Sequence, residues 1–262
     1  MSDQMSREVV IEARQLRKAF GTITAVNGVD LQVRAGEITA VVGDNGAGKS
    51  TLMKMLCGAI SPDSGEIYVD GKRVVLRNPL VARELGIETV FQDLALSPNR
   101  DVVSNLFLSR EIVRGGVFRP LQILDRKRML NEAATQLGRL DVHVPQLSGL
   151  PVLQMSGGQR QAVAVARAAL WATRAMFMDE PTAALGLRES RRVLALARGI
   201  ADRGLAVVLI SHILPHVMEL ADRVVVMRHG EKVAELTEDI SSERLVSLIV
   251  GVDARLSSLA SD

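Results

Sequence analysis

A glycine-rich run ending in Lys-Ser-Thr is the clearest chemical signal in this chain. The run is Gly43-Asp44-Asn45-Gly46-Ala47-Gly48-Lys49-Ser50-Thr51, and it fits the phosphate-binding pattern G-x-x-x-x-G-K-[ST] at every fixed position. Glycines allow the backbone to curl with its N–H groups pointing inward, where phosphate oxygens would lie. Lys49 is then expected to reach the β and γ phosphates, and the Ser50 hydroxyl to meet a magnesium ion that bridges them. The run predicts a nucleoside triphosphate site.

The segments on either side of the run are those that such a loop requires. An apolar stretch at 38–42 enters it, and the stretch 52–56 leaves it with further apolar residues. The first predicts a buried strand and the second a helix, whose amino end adds a positive dipole to the loop. A glycine-rich turn that merely precedes Lys-Ser would not need these flanks, so the phosphate site is the favoured interpretation.

A pair of carboxylates, Asp179-Glu180, forms a second chemical element. It follows the continuous apolar run 175–178, which predicts a buried strand with the pair at its carboxyl end. Asp179 is expected to hold the magnesium ion, and Glu180 to polarise the attacking water. Taken alone, Asp179-Glu180-Pro181 would equally well begin a turn. The phosphate loop upstream favours the catalytic interpretation.

Composition excludes several classes of protein. The chain has 262 residues, a formal net charge of +2 and a single cysteine. That charge is too small for a nucleic-acid footprint, and Cys57 is expected to be a small buried residue. The amino terminus lacks a signal-peptide pattern, and no uncharged apolar run approaches the ~18 residues of a spanning helix. We therefore expect a cytoplasmic chain that works at a membrane only through partner subunits.

The coarse pattern of elements divides the chain into three zones. Residues 9–76 predict strands with the helix of the phosphate loop ending near Gly58, and the turn pairs Ala35-Gly36 and Asp70-Gly71 separate them. Residues 93–172 predict mostly helix, most clearly at 126–140 and 157–171. From residue 175 strands and helices alternate, with strands at 176–178, 206–210 and 224–227, and helices at 187–203 and before Ala221. This alternation predicts a mostly parallel sheet covered by helices.

At one further motif the chain resembles the ATP-binding cassette (ABC) family. Met155-Ser156-Gly157-Gly158-Gln159-Arg160-Gln161 is similar to the family signature L-S-G-G-Q, and it stands just before an alanine-rich helix and the Asp179-Glu180 strand. Physically it is a second anion site at a helix start, with the Ser156 hydroxyl and the N–H groups of Gly157 and Gly158 available to a γ-phosphate. Without the phosphate loop, an ordinary capped helix would be the better interpretation.

The resemblance implies roles for three more residues. Gln92, after a predicted strand at 87–91, matches the Q-loop glutamine, which contacts the metal or the water and moves with the transport partner. His212 matches the switch histidine that contacts the γ-phosphate. Phe20 matches the aromatic position that stacks on adenine, with a core role as the competing interpretation.

The resemblance extends from about residue 9 to residue 250 and departs from the family pattern in two places. Met155 replaces the usual leucine, and Gly186 lies where many members carry an aspartate that helps couple two sites across a dimer. The stretches 91–96, 105–111 and 180–186 are similar to ribose, xylose and fructose importer subunits, many of which carry two fused cassettes. This chain carries one, so it would pair with itself or with a second ATPase chain.

The resemblance implies an α/β P-loop NTPase fold with a RecA-like core, an N-terminal antiparallel β portion and a helical insertion at about 93–172, in one nucleotide-binding domain over 1–262. It implies ATP and Mg²⁺ as cofactors and ATP hydrolysis for import. The implied partners are integral-membrane permease subunits, a second ATPase subunit and, indirectly, an extracytoplasmic solute-binding protein, with no nucleic acid and a location on the inner face of the cell membrane. An ATP-driven dimerising clamp on a soluble partner or nucleic acid and an amino-acid importer stay open as alternatives. A hydrophobic groove around residues 92–108 would favour a permease, and a basic stripe would favour nucleic acid.

Overall fold

The computed structural model describes residues 7–115, 122–139 and 146–251, which form two sheets and the helices that cover them. The strands are β1 (Val9–Phe20), β2 (Ile23–Arg34), β3 (Ile38–Gly43), β4 (Ser64–Val69), β5 (Lys72–Val74), β6 (Ile87–Val90), β7 (Ala175–Asp179), β8 (Ala206–Ile210), β9 (Arg223–Arg228) and β10 (Glu231–Leu236). The α-helices are α1 (Lys49–Leu56), α2 (Pro79–Glu84), α3 (Val102–Leu106), α4 (Arg126–Arg139), α5 (Gly157–Trp171), α6 (Leu187–Ala201), α7 (Leu214–Leu220) and α8 (Ser242–Val250).

The larger sheet sets the position of every strand-end residue that the sequence singled out. Its order is β10-β9-β3-β8-β7-β6, with β10 antiparallel to β9 and the other neighbours parallel. The middle strands are buried on both faces, which explains their continuous apolar sequences. Because the carboxyl ends of parallel strands meet at one edge, the loops after β3, β6, β7 and β8 converge there.

The smaller sheet is antiparallel, in the order β2-β1-β4-β5. It packs on the larger sheet around α1, and the core between them includes Leu16, Val26, Leu52 and Phe177. Asp70 and Gly71 form the predicted tight turn between β4 and β5, both with positive φ.

Helices α3, α4 and α5 have a hydrophobic core of their own, which we call the helical cluster. Its buried members include Val103, Phe107, Met129 and Val163. Trp171 closes one end, since its ring meets Phe107 edge to face at 5.6 Å and its indole N–H donates to the Leu106 carbonyl. The cluster thus has its own hydrophobic core, and α5 connects it to the larger sheet, because Ala164, Val165 and Ala168 pack in one core with Val90 and Met178.

Most predicted elements are confirmed, with differences at their ends. Residues 206–210 and 157–171 agree residue for residue with β8 and α5, and Cys57 is buried as expected. The helix predicted at 187–203 ends at Ala201, because Asp202 and Arg203 form the turn that leads into Gly204, whose φ is +94°. The prediction that 93–172 is mostly helical was wrong for the described stretches 93–101, 107–115, 122–125 and 146–151, which lie outside the helices; residues 116–121 and 140–145 lie outside the described part of the chain. Strand β10 and helix α8 were not predicted.

In the described part of the chain, no helix combines the length and the apolar character needed to cross a bilayer.

Candidate nucleotide site

The phosphate loop joins β3 to α1, and two of its glycines are required by close backbone approaches. Gly43 has φ +151° and Gly48 has φ +97°. A Cβ atom would lie 2.2 Å from the Met227 carbonyl oxygen at Gly43 and 2.2 Å from the Ala25 carbonyl oxygen at Gly48. The loop is therefore wedged between β9 and β2. Asp44, Asn45 and Gly46 at its crest are exposed.

Lys49 lies inside the mouth of this loop. Its ammonium group donates to the carbonyl oxygens of Gly43 and Asp44, each at 2.9 Å, and the residue is only 7% exposed. Burial lowers the pKa of Lys49, and the nearby charges of Glu180, Asp44 and Asp179 oppose that shift. Because the ammonium group is already removed from bulk water, the binding of an anionic group requires little further desolvation of Lys49.

Asp179 ends β7 next to the phosphate loop. It is buried, and desolvation together with the Glu180 charge raises the pKa of its carboxyl. Lys54, the Ser50 hydroxyl and Lys49 lie close enough to oppose that shift. The predicted metal-binding residues Ser50 and Asp179 are therefore neighbours in the folded chain. A hydroxyl and a desolvated carboxylate are oxygen ligands of the kind that Mg²⁺ takes.

Glu180 and His212 meet in space although 32 positions separate them in the sequence. The Glu180 Oε1 and His212 Nδ1 atoms are 3.2 Å apart. Glu180 has φ +48°, an uncommon conformation for a residue with a side chain, and its N–H donates to the Ile210 carbonyl at the end of β8. This backbone turn aims the carboxylate toward the loop that carries His212.

Gln92 lies in a cleft of about 400 Å³ between the larger sheet and the helical cluster. The cleft also contains Glu180 and Gly157, so three of the predicted motifs border one space. Its wall is mainly apolar, with Leu94, Leu96, Pro98, Val152, Leu153 and Leu185 among its residues. Gln92 is exposed and makes no hydrogen bond to the described residues.

Ser156 caps α5 and begins the predicted signature. Its hydroxyl accepts from the Gln159 N–H at 3.2 Å, while the Gln159 side chain accepts from the Ser156 N–H at 2.9 Å. The hydroxyl proton is still available to a ligand. Gly157 and Gly158 supply the first helical N–H groups, which have no acceptor within the helix. The helix start is therefore capped, and a γ-phosphate site at the same helix start stays a prediction.

Phe20 lies at the tip of the β1–β2 hairpin, whose Ala25 carbonyl touches the phosphate loop at Gly48. The residue is 52% exposed, which excludes the competing role of a core residue. Its contact with adenine stays a prediction.

Gly186 lies where many family members carry an aspartate, and it directly precedes α6. It provides no side-chain cap. A Cβ atom there would lie 2.8 Å from the Glu189 carboxylate, which belongs to the first turn of α6.

Comparison with known proteins assigns the chain to a family. A model described as ABC transporter matches residues 26–183, and the fructose import ATP-binding protein of Rhizobium meliloti is 45% identical over 94% of this chain and 96% of its own length. The chain belongs to the ABC transporter family. A second ABC relative, the xylose/arabinose import ATP-binding protein of Sulfolobus acidocaldarius, is 41% identical over 92% of this chain and 98% of its own length.

The fold agrees with that assignment. The solved structure of a nucleotide-free ATP-binding cassette from an ABC transporter matches with a TM-score of 0.78 at 23% identity, over 97% of this chain and 100% of the other. The chain is thus an ABC ATPase subunit with the P-loop NTPase fold that the sequence predicted.

Sequence reasoning missed one residue that contacts this site of the ABC cassette. Arg167, on α5, donates from its guanidinium to the carbonyl oxygens of Leu94 and Ala95, which follow Gln92. Its signal was present, because Arg167 is the only charged residue in the otherwise apolar stretch 162–171. A charged side chain in such an apolar helix usually has a specific hydrogen-bonding or ionic partner.

Proposed function

We propose that this ABC cassette hydrolyses ATP to power a membrane importer for a simple sugar. The observation that carries the proposal is the convergence of Lys49, Asp179, Glu180 and His212 at one sheet edge beside a mainly apolar cleft. The sugar is suggested by the relatives that are fructose and xylose/arabinose import ATP-binding proteins. In this proposal, the described helices and strands belong to one nucleotide-binding domain.

Each residue of the site has a role in this proposal. Ser50 and Asp179 would hold Mg²⁺, which would neutralise phosphate charge, and a hydroxyl beside a buried carboxylate is a donor set that suits this ion. Lys49 and the loop amides hold the β and γ phosphates, and Phe20 stacks on the base. Glu180 orients the attacking water and accepts its proton, while His212 holds Glu180 and contacts the γ-phosphate. Gln92 enters the site from the cleft to contact the metal or the water.

A second cassette completes the site. The Ser156 hydroxyl and the free amides of Gly157 and Gly158 begin a helix whose dipole favours a γ-phosphate. In the proposed dimer, this helix start faces the phosphate loop of the partner, so that two ATP molecules are enclosed. The partner is a second copy of this chain or another ATPase chain.

The cleft beside Gln92 is proposed to receive a short cytoplasmic helix of an integral-membrane permease. Its wall is mainly apolar and carries Asp93, Glu180 and Arg160 as its charged residues, which suits an amphipathic helix and not a nucleic-acid backbone. In this arrangement the cassette lies on the inner face of the cell membrane. A solute-binding protein outside the membrane delivers the sugar to the permease.

The test is reconstitution in vesicles with the permease and the solute-binding protein, measuring ATP hydrolysis and solute uptake. Hydrolysis stimulated by a binding protein loaded with fructose, xylose or ribose supports the proposal. Stimulation only by an amino acid favours the amino-acid importer. Recovery of nucleic acid or soluble proteins without permease favours the clamp.

A matched pair of variants tests the cleft. Leu153, which lines it, is 58% exposed, and Leu80, on α2 outside it, is 62% exposed. Leu153→Arg is expected to abolish permease co-purification and stimulation of hydrolysis, because a charge in the apolar wall opposes docking. Leu80→Arg is expected to leave both intact. Equal effects of the two variants would place the permease elsewhere.

A further inference from the structure

The backbone of segment 94–101, which follows Gln92, is hydrogen-bonded to helices of the helical cluster, while Leu94 and Leu96 pack against the core that α5 shares with the larger sheet. Arg167 on α5 donates to the Ala95 carbonyl at 2.7 Å and to the Leu94 carbonyl at 2.9 Å. Asn105 on α3 is fully buried, and its side chain binds the backbone of Ser97, Arg100 and Asp101. Pro98 and Arg100 also accept N–H groups from the stretch before the signature, namely Leu153 and Val152.

The β-sheet pairing of this part of the chain ends just before Gln92. The pairing of β6 with β7 stops at Val90, which lies opposite Met178. After β6 ends, the Leu94 N–H donates to the Phe91 carbonyl and forms a turn around Gln92 and Asp93. Gln92 therefore lies on a junction of three residues, with the sheet on one side and the helical cluster on the other.

The backbone at Arg167's two acceptors is strained. Leu94 has φ +60° and Ala95 has φ +46°, two consecutive left-handed residues that are not glycine. Such conformations persist where surrounding contacts over-determine them. The two hydrogen bonds from a cationic guanidinium are the contacts that hold these carbonyls. Burial and the Arg83 charge lower the pKa of Arg167, and Glu88 and Asp93 oppose that shift.

We propose that Arg167 is a positioning residue for Gln92: it attaches the segment after Gln92 to the signature helix, so that the place of Gln92 in the cleft follows α5. This inference rests on the proposed function, because it gives Gln92 a role in hydrolysis. When α5 turns against a partner's nucleotide, Arg167 carries Leu94 and Ala95 with it. Gln92, whose side chain makes no hydrogen bond within the described part of the chain, then moves relative to Glu180.

A double-mutant cycle on hydrolysis by the full chain, with its permease where activity requires it, tests the proposal. Arg167→Met removes both hydrogen bonds and keeps most of the side-chain stem, and we expect kcat to fall about tenfold or more, because the loss of one charged hydrogen bond already corresponds to about that factor. The KM for ATP should change by less than about twofold, because Lys49 and its loop are untouched. In a Gln92→Ala background, Arg167→Met should cause little further loss, because Arg167 acts through Gln92.

Arg198→Met is the matched control. This guanidinium lies on the neighbouring helix α6 and binds Asp202 and Asp222, away from the cleft. It should leave kcat within about twofold and show no coupling to Gln92→Ala. Thermal melts of each variant show whether a loss of activity comes from unfolding or from displacement of Gln92 in a folded protein.

Multiplicative losses from Arg167→Met and Gln92→Ala overturn the proposal, as does a full kcat in either single variant. Should Arg167→Met not fold, the same cycle is run with Arg167→Lys, which keeps the charge and can reach one of the two carbonyls. That variant should show a smaller loss with the same non-additivity, and additivity there also overturns the proposal. A wild-type protein without ATPase activity would instead refute the proposed function.

Discussion

Replacement of Gly48 by alanine tests whether the phosphate loop is held against the smaller sheet. Gly48 precedes α1 with φ +97° and ψ 0°, and its carbonyl accepts the Leu52 N–H. A Cβ atom would lie 2.2 Å from the Ala25 carbonyl oxygen, which is main chain within β2 and cannot swing aside. Gly48→Ala must therefore displace the loop, the strand or both.

The size of the effect follows from two separable costs. A left-handed conformation costs a residue with a Cβ atom about 1–2 kcal/mol. Relief of the clash with Ala25 adds about 1–3 kcal/mol, the usual range for overpacking. Gly46 provides the matched control, since its φ is +80° but a Cβ there meets no atom within 4 Å. Gly46→Ala should therefore show only the first cost.

Urea unfolding of both variants without nucleotide measures the difference, and binding of a fluorescent ATP analogue reports the loop. We expect Gly48→Ala to lose more free energy of unfolding than Gly46→Ala by the cost of the clash, and to bind the analogue weakly. Equal losses in the two variants, or wild-type affinity in Gly48→Ala, would refute the assignment of the Ala25 contact as a constraint on the loop.

Three other outcomes are expected. Lys49→Ala should abolish hydrolysis and weaken ATP binding, because it removes the cation facing the phosphates; a steady-state ATPase assay with a thermal melt checks this, and wild-type turnover would contradict it. Glu180→Gln should bind ATP and magnesium but stall hydrolysis and accumulate as a dimer on size exclusion, and adding Ser156→Arg should reverse the dimer; normal turnover in Glu180→Gln would remove its catalytic role. Burial raises the pKa of Asp179 in the folded chain above 3.8, the ordinary pKa of an aspartate. Ionisation of this carboxyl therefore lowers the free energy of unfolding as the pH rises above 3.8. Asp179→Asn should therefore raise Tm at pH 7, with a gain that shrinks as the pH falls toward 3.8, while hydrolysis is lost; a lower Tm at pH 7 would contradict this.

Local chemistry in the sequence was enough to predict the main elements of the fold. The run 43–51 predicts a loop between a strand and a helix because this spacing of glycine, lysine and serine is characteristic of phosphate-binding loops. Asp179 and Glu180 could be placed at a strand end because a fully apolar run before them must be buried. For the same reason β8 was predicted to the residue.

Contacts between distant segments required the tertiary structure. The approach of Glu180 to His212 depends on β7 and β8 being neighbours in the sheet, and strand order is set by packing of whole layers. Arg167 could be noticed as one charge on an apolar helix, but its acceptors are two strained carbonyls more than 70 positions away. The clash that requires glycine at position 48 likewise comes from Ala25, on another strand. Sequence periodicity specifies which face of an element is buried, and only the packed structure decides which atoms that face meets.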